Sequence, residues 1–283
     1  MGLVLALWLG QGVAALPAAG NAGNDDPTEK AALIEQVMSL SGMDEMIVRL
    51  PDMARTGFQQ QPPPPVDRAQ YEQFQEIFLT ALDPGQVRRS VVNFLDRHFD
   101  GPRFADFAAM LNTPVAKQMT ALELQAGTPE AGREMMAFAN TTLGQLSAER
   151  AELIRRLERA QGAAEAMVAM QVMMARTMME GMNRIVPQNR RLKPGQIETF
   201  FARMRQDSLA PARQYAELNM AYAYRSVSDS TLADYAALYE SETGRWATAL
   251  LVDAWLDAYR GIARRLAQAM AESFGPHDDG RYY

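Results

Sequence analysis

Four times along this chain a residue able to cap a helix stands directly before a proline: Asp26-Pro27, Asp83-Pro84, Thr113-Pro114 and Thr128-Pro129. Each pair reads as a helix start. The side-chain oxygen accepts from a first-turn N–H, and the proline sits where no N–H is needed and its fixed φ already suits the helix. Ser147-Ala148-Glu149-Arg150 and Ser228-Asp229-Ser230-Thr231 read as further caps, and Gly42 and Gly162 as helix stops. Between these signals apolar residues recur at spacings of three and four, and no alternating Val, Ile or Thr run suggests a strand. The expected fold is all-α. With 283 residues, 48% of them apolar, there is material for a buried core.

The helical elements recur in order. Leu33-Ile34-Glu35-Gln36-Val37 leads to Gly42, then to Met46-Ile47 and Met53; 120 residues on, Leu153-Ile154-Arg155-Arg156-Leu157 leads to Gly162, then to Ala166-Met167 and Met173. Phe104–Leu111 recurs as Leu232–Tyr239, 128 residues on. The change of offset falls in Pro-bearing connections (61–66 and 185–195), where length varies most freely. The expected organisation is two duplicated helical units, 27–145 and 147–283, each of about five to six helices and packed together.

Residues 1–24 carry no charge and contain the apolar run Leu3–Leu9 followed by small residues. That is the pattern of a signal peptide, expected over 1–22 with cleavage after Ala15, Ala18 or Ala22. Gly10-Gln11-Gly12 interrupts the run short of the ~20 apolar residues a membrane span needs. No Lys or Arg precedes the run, which fits a start upstream of Met1. The expected mature protein is periplasmic or secreted, with no stable membrane span.

Composition removes several chemistries. The chain has no cysteine, so thiol catalysis, disulfides, Cys-based metal sites and a lipid anchor are excluded. Two histidines do not make a His-rich metal site, and a net charge of −6 does not suit nucleic acid. No phosphate-binding loop, Gly-x-Ser-x-Gly elbow or His-Glu-x-x-His motif occurs, and no cofactor is expected.

The most specific pattern is a helical corner. After the short helix Phe104–Leu111 comes Thr113-Pro114-Val115-Ala116-Lys117; after Leu232–Tyr239 comes Ser241-Glu242-Thr243-Gly244-Arg245. Thr113 and Ser241 are expected N-caps, and Pro114 a first-turn proline. Ala116 and Gly244 are small where helices approach, and Lys117 and Arg245 can lay an aliphatic stem over the corner. In these residues the chain resembles a bacterial exported family known as domain of unknown function 2059. That family has a helix ending in Phe-Tyr, then Ser-Pro, one residue, Gly, and Arg or Lys. Here Leu238-Tyr239-Glu240-Ser241-Glu242-Thr243-Gly244-Arg245 departs at Glu242, where Pro is usual. Met110–Lys117 keeps Pro114, has Ala116 for the glycine and lacks the aromatic pair. Leu33–Gly42 and Leu153–Gly162 resemble the family's first helix. The resemblance implies a secreted or periplasmic all-helical protein and supplies no catalytic residues.

Other residues invite chemistry beside a plainer role. Met167, Met170, Met173, Met174, Met178, Met179 and Met182 could offer thioethers to Cu(I) or Ag(I). At helical spacing, however, Met167, Met170, Met174, Met178 and Met182 share one face and read as a core stripe, with Met173 and Met179 off it and able to face the partner unit. His98 lies beside Asp96 and Asp100, but residues two apart on a helix point apart, and a structural histidine is expected. His277 falls in a terminal tail, and Pro62–Pro65 reads as a stiff spacer. Asp234, Glu240, Glu242, Asp253 and Asp257 could furnish a hydrolase pair but read first as solvated helix faces, as do the pairs Arg155-Arg156, Arg190-Arg191 and Arg264-Arg265. The expected function is a non-enzymatic module that binds a peptide, protein or apolar ligand in a groove between the units. The alternatives are an envelope hydrolase with a carboxylate-rich cleft and a thioether Cu(I) or Ag(I) binder.

Overall fold

The computed structural model describes residues 26–60, 67–141, 143–185 and 191–274. The expected signal segment 1–22, prolines 62–65 and His277 lie outside the described residues. Among the described residues there is no strand. The described residues form twelve α-helices: α1 (Pro27–Leu40), α2 (Met43–Gln60), α3 (Arg68–Ala81), α4 (Pro84–Arg97), α5 (Gly101–Leu111), α6 (Pro114–Ala126), α7 (Pro129–Thr141), α8 (Ala148–Gln161), α9 (Ala163–Ile185), α10 (Pro194–Ala223), α11 (Asp229–Glu240) and α12 (Glu242–Phe274). A short 3-10 turn, Leu143–Gln145, lies between α7 and α8.

The capping residues act as their spacing requires. Asp26 accepts from Thr28 N–H at 2.9 Å, Asp83 from Gln86 at 2.6 Å and Thr128 from Ala131 at 3.2 Å. Ser147 accepts from Arg150 at 3.0 Å and Ser228 from Thr231 at 3.1 Å. Gly42 and Gly162 end α1 and α8 with φ of 72° and 54°, backbone that a side chain would strain. Asp67 and Asp100 cap α3 and α5 as well, without a proline directly after them to flag the start.

Packing does not divide where the sequence units divide. One core is built from α1 to α5 together with α12; a second is built from α6, α7, α8, α10 and α11. Thus α12 crosses over to close the core of the first segment, while α6 and α7 join helices of the second. Helix α12 can do this because its 33 residues span about 50 Å. Leu250, Ala254, Ala258, Ile262 and Leu266 recur every fourth residue along it as a fully buried ridge. Close approach is set by small residues: a Cβ on Gly181 of α9 would lie 2.7 Å from Ala267 Cβ on α12.

Helix ends buried in this assembly are held by arginines from elsewhere. Arg49 Nη1 donates to Leu124 O at 2.6 Å near the end of α6, and Arg265 Nη2 to Ala81 O at 2.9 Å at the end of α3. Arg150 Nη2 donates to Tyr224 O at 2.5 Å at the end of α10, while its Nη1 pairs with Asp229. Unpaired C-terminal carbonyls carry the negative end of the helix dipole, so a guanidinium satisfies both the charge and the hydrogen bond. Arg150→Ala is expected to cost about 2 kcal/mol, read as a lower denaturation midpoint at unchanged m-value.

The methionines of α9 correct the sequence reading in part. Met170, Met174 and Met178 pack against the first core as expected. Met173, expected off the stripe, joins them, and Met167, expected on it, packs with Met179 against the small core between α9 and α10. The reason is that α9 lies between α12 and α10, so two of its sides are covered and a single amphipathic stripe does not describe it.

Candidate functional site

The two corners singled out in the sequence are built alike. Thr113 Oγ1 donates to Met110 O at 2.8 Å and accepts from Ala116 N–H at 3.3 Å. Ser241 Oγ donates to Leu238 O at 2.6 Å and accepts from Gly244 N–H at 2.9 Å. Pro114 opens α6, Ala116 is buried beneath it, and Lys117 is exposed. Gly244 lies against the end of α11, where an added Cβ would come within 2.6 Å of Tyr239 Cα and nearer still to Leu238 O. Arg245 folds back and donates to Glu240 O.

Tyr239 has a second role that its place in this motif does not reveal. It forms part of the wall of a pocket lined by Ser41, Met43 and Met46 at the α1–α2 corner, Phe107 of α5, Gln161 at the end of α8, and Ala247, Thr248, Leu251, Val252 and Trp255 of α12. The pocket draws on both sequence segments, and the helix stops at Gly42 and Gly162 place the ends of α1 and α8 against it. About 30 Å3 is open to the centre of a water-sized sphere, room for about two waters or a short branched end group. The lining is mostly apolar and contains no Asp, Glu, Lys, Arg or His. Its polar atoms belong to Ser41, which donates to Met38 O at 3.3 Å, and to Gln161, Tyr239 and Thr248.

Behind Tyr239 runs a sealed polar chain. Tyr239 Oη meets Tyr235 Oη at 3.3 Å, and Tyr235 Oη donates to Glu123 Oε1 at 2.9 Å. Tyr224 Oη donates to the same carboxylate oxygen. Burial pushes all three tyrosines well above the ordinary phenol value, and the Glu123 charge pushes them further. The hydroxyls therefore stay protonated and serve as donors, not as bases. Glu123 occupies a core position of α6, on one face with Ala116, Met119 and Ala126. A single carboxylate inside that apolar stripe is the sequence signal that could have located the chain, together with Tyr235 and Tyr239 one turn apart on the buried face of α11.

The remaining candidates are placed elsewhere. Glu240 is clasped by Arg156 through bonds of 2.6 and 2.5 Å, which hold its carboxyl below the usual range. Asp257 lies 3.6 Å from Arg97, and Glu242 lies 4.0 Å from Arg103. Asp234 is exposed, and Asp253 is raised by burial. None of the five lines the pocket. His98 ends α4, with Nδ1 2.8 Å from Phe94 O and its ring stacked on Phe94 at 4.1 Å, a structural placement. Arg155 pairs with Glu152, Arg264 Nε donates to Arg260 O at 3.3 Å, and Arg190 lies outside the described residues. Among the described residues no group of three or more His, Asp or Glu is placed to hold a metal ion, and no helix is long and apolar enough to cross a membrane.

No family model, curated protein or solved structure matches the chain. The chemistry of the site therefore rests on its own geometry. The pocket is mostly apolar, with a few hydrogen-bonding side chains and no Asp, Glu, Lys, Arg or His in its lining.

Proposed function

We propose that this protein is a non-enzymatic binding module, exported to the periplasm or secreted, that seats the apolar end of a peptide, protein or other apolar ligand in the pocket at the α1–α2 corner. The observation that carries the reading is the lining: residues of both sequence segments converge on one uncharged, apolar space. Its size suits an anchoring group while the rest of the ligand lies outside. The segments are read as two copies of one unit, supported by the recurring Gly42 and Gly162 stops and the matched hydrogen bonds at Thr113 and Ser241. The signal-like segment 1–22 and the resemblance to an exported family support the location.

The test uses protein carrying methyl-labelled methionine, because Met43 and Met46 lie in the lining. Titration with isopentane is expected to shift both methyl signals saturably. Ala247→Leu, which fills the pocket, is expected to abolish the shift. Unmoved Met43 and Met46 signals would overturn the reading.

A further inference from the structure

Four large apolar side chains are exposed among the described residues: Val48, Met136, Leu192 and Phe200. Two of them lie close together, Leu192 just before α10 and Phe200 in its second turn. Leu192 is 42% exposed on a fixed backbone. Its N–H donates to Asn183 Oδ1 at 2.8 Å, and its carbonyl accepts from Asn183 Nδ2 at 3.1 Å. Phe200 is 51% exposed and rests edge-on against the buried Phe201, with ring centroids 5.1 Å apart. The charge around them is one-sided. The chain carries a net charge of −6, yet residues 191–205 hold four basic residues, Arg191, Lys193, Arg203 and Arg205, and one acid, Glu198. All four basic residues are exposed, and Glu198 is engaged by Arg176 Nη2 at 2.5 Å. Among the described residues Lys193, Arg203 and Arg205 form no ion pair, whereas Arg155 pairs with Glu152, Arg156 with Glu240 and Arg213 with Glu165. At helical spacing Lys193, Gln196, Phe200 and Arg203 share one face, and Asp207 is the first acidic residue further along it.

We propose that this surface docks on the face of an anionic phospholipid bilayer. Arg191, Lys193, Arg203 and Arg205 meet the lipid phosphates, and Leu192 and Phe200 enter the boundary between headgroups and acyl chains. A bilayer supplies both complements at once: negative charge in the headgroup layer and hydrocarbon just beneath it. An acidic protein would match the charge, but it would need a cleft shaped to the two apolar tips. A fluid lipid surface accepts them without a matching shape. The attachment is peripheral, since no helix among the described residues is long and apolar enough to cross a membrane. It is also separate from the pocket at the α1–α2 corner, whose lining contains none of these residues.

Co-sedimentation of the full chain with vesicles tests the proposal. One set contains phosphatidylglycerol and phosphatidylcholine in equal parts, the other phosphatidylcholine alone. Residues 1–24 are uncharged, so attachment through them would be alike on both sets. Binding is expected to be at least about tenfold stronger on the anionic vesicles at low salt, and the preference is expected to vanish at about 0.5 M salt. The double variant Lys193→Gln, Arg203→Gln is expected to bind the anionic vesicles about twentyfold more weakly. Phe200→Ser is expected to lose about tenfold with its salt dependence unchanged, and Leu192→Ser to behave likewise, so the apolar contribution does not depend on one variant folding. Val48→Ser, at 67% exposure the control for an exposed apolar residue elsewhere, is expected to bind as the wild type does. Equal binding to both vesicle sets, or variants that bind as the wild type does, would overturn the proposal. Loss in the charge variant with none in either serine variant would overturn the membrane assignment in favour of an acidic macromolecule, as would binding to polyglutamate with none to vesicles.

Discussion

Gly244→Ala is expected to cost about 3 kcal/mol or more and to lower the thermal midpoint by roughly 10 °C. The added methyl would meet the end of α11, with Tyr239 Cα at 2.6 Å and Leu238 O closer. Both obstacles are backbone, so no side-chain rotation relieves them, and moving apart would break the bonds from Ser241 to Leu238 O and from Gly244 N–H to Ser241. Tyr239 would move too, and with it the pocket wall and the hydroxyl chain. The equivalent corner gives the control: Ala116→Gly is expected to cost about 1 kcal/mol, from helix propensity and a small cavity. Denaturant unfolding of the two variants measures both. A Gly244→Ala loss within about 0.5 kcal/mol, the range of an ordinary surface substitution, would show that the corner gives way.

Alkaline solution is expected to unfold the protein steeply, at roughly 5 kcal/mol per pH unit above pH 10. Burial, before any other cause, pushes Tyr224, Tyr235, Tyr239 and Tyr259 above the ordinary phenol value. A group whose folded value lies above its unfolded value contributes fully below the unfolded value and loses that contribution as pH rises toward the folded one. The unfolded chain releases these protons near pH 10, while the folded chain holds them. Each phenol therefore adds about 1.4 kcal/mol per pH unit in favour of unfolding. Denaturation midpoints followed through this range would show the slope. Tyr259→Phe should remove about a quarter of it, since burial alone raises Tyr259. A flat profile between about pH 10 and 11 would mean that the hydroxyls reach solvent in the native state.

The helix starts were legible because a cap needs only neighbours in sequence: Asp83, Pro84 and Gln86 N–H decide one start among themselves. The corner glycine was legible for the same reason, since Gly244 meets Leu238 and Tyr239 only a few residues away. The destination of α12 was not, because the partners of Leu250 and Ile262 include helices far back in the chain. The α9 methionines fall between these cases. Periodicity gives the angle of each side chain, but two covering helices decide which angles are buried. In the site, Tyr239 was singled out as part of a corner, and its place in the pocket appears only when Gln161 and Trp255 are brought beside it.

The crossing of α12 also sets an order of events during synthesis. A ribosome delivers α1 to α5 with one apolar side uncovered, and the helix that covers it emerges only after α6 to α11 have been made. The earlier part is held open by connectivity and pays the closure entropy of a very long loop before its core is complete. The crossing also places the folding of residues near position 40 under the control of residues beyond position 250, so truncation within α12 would be felt first at the opposite end of the sequence.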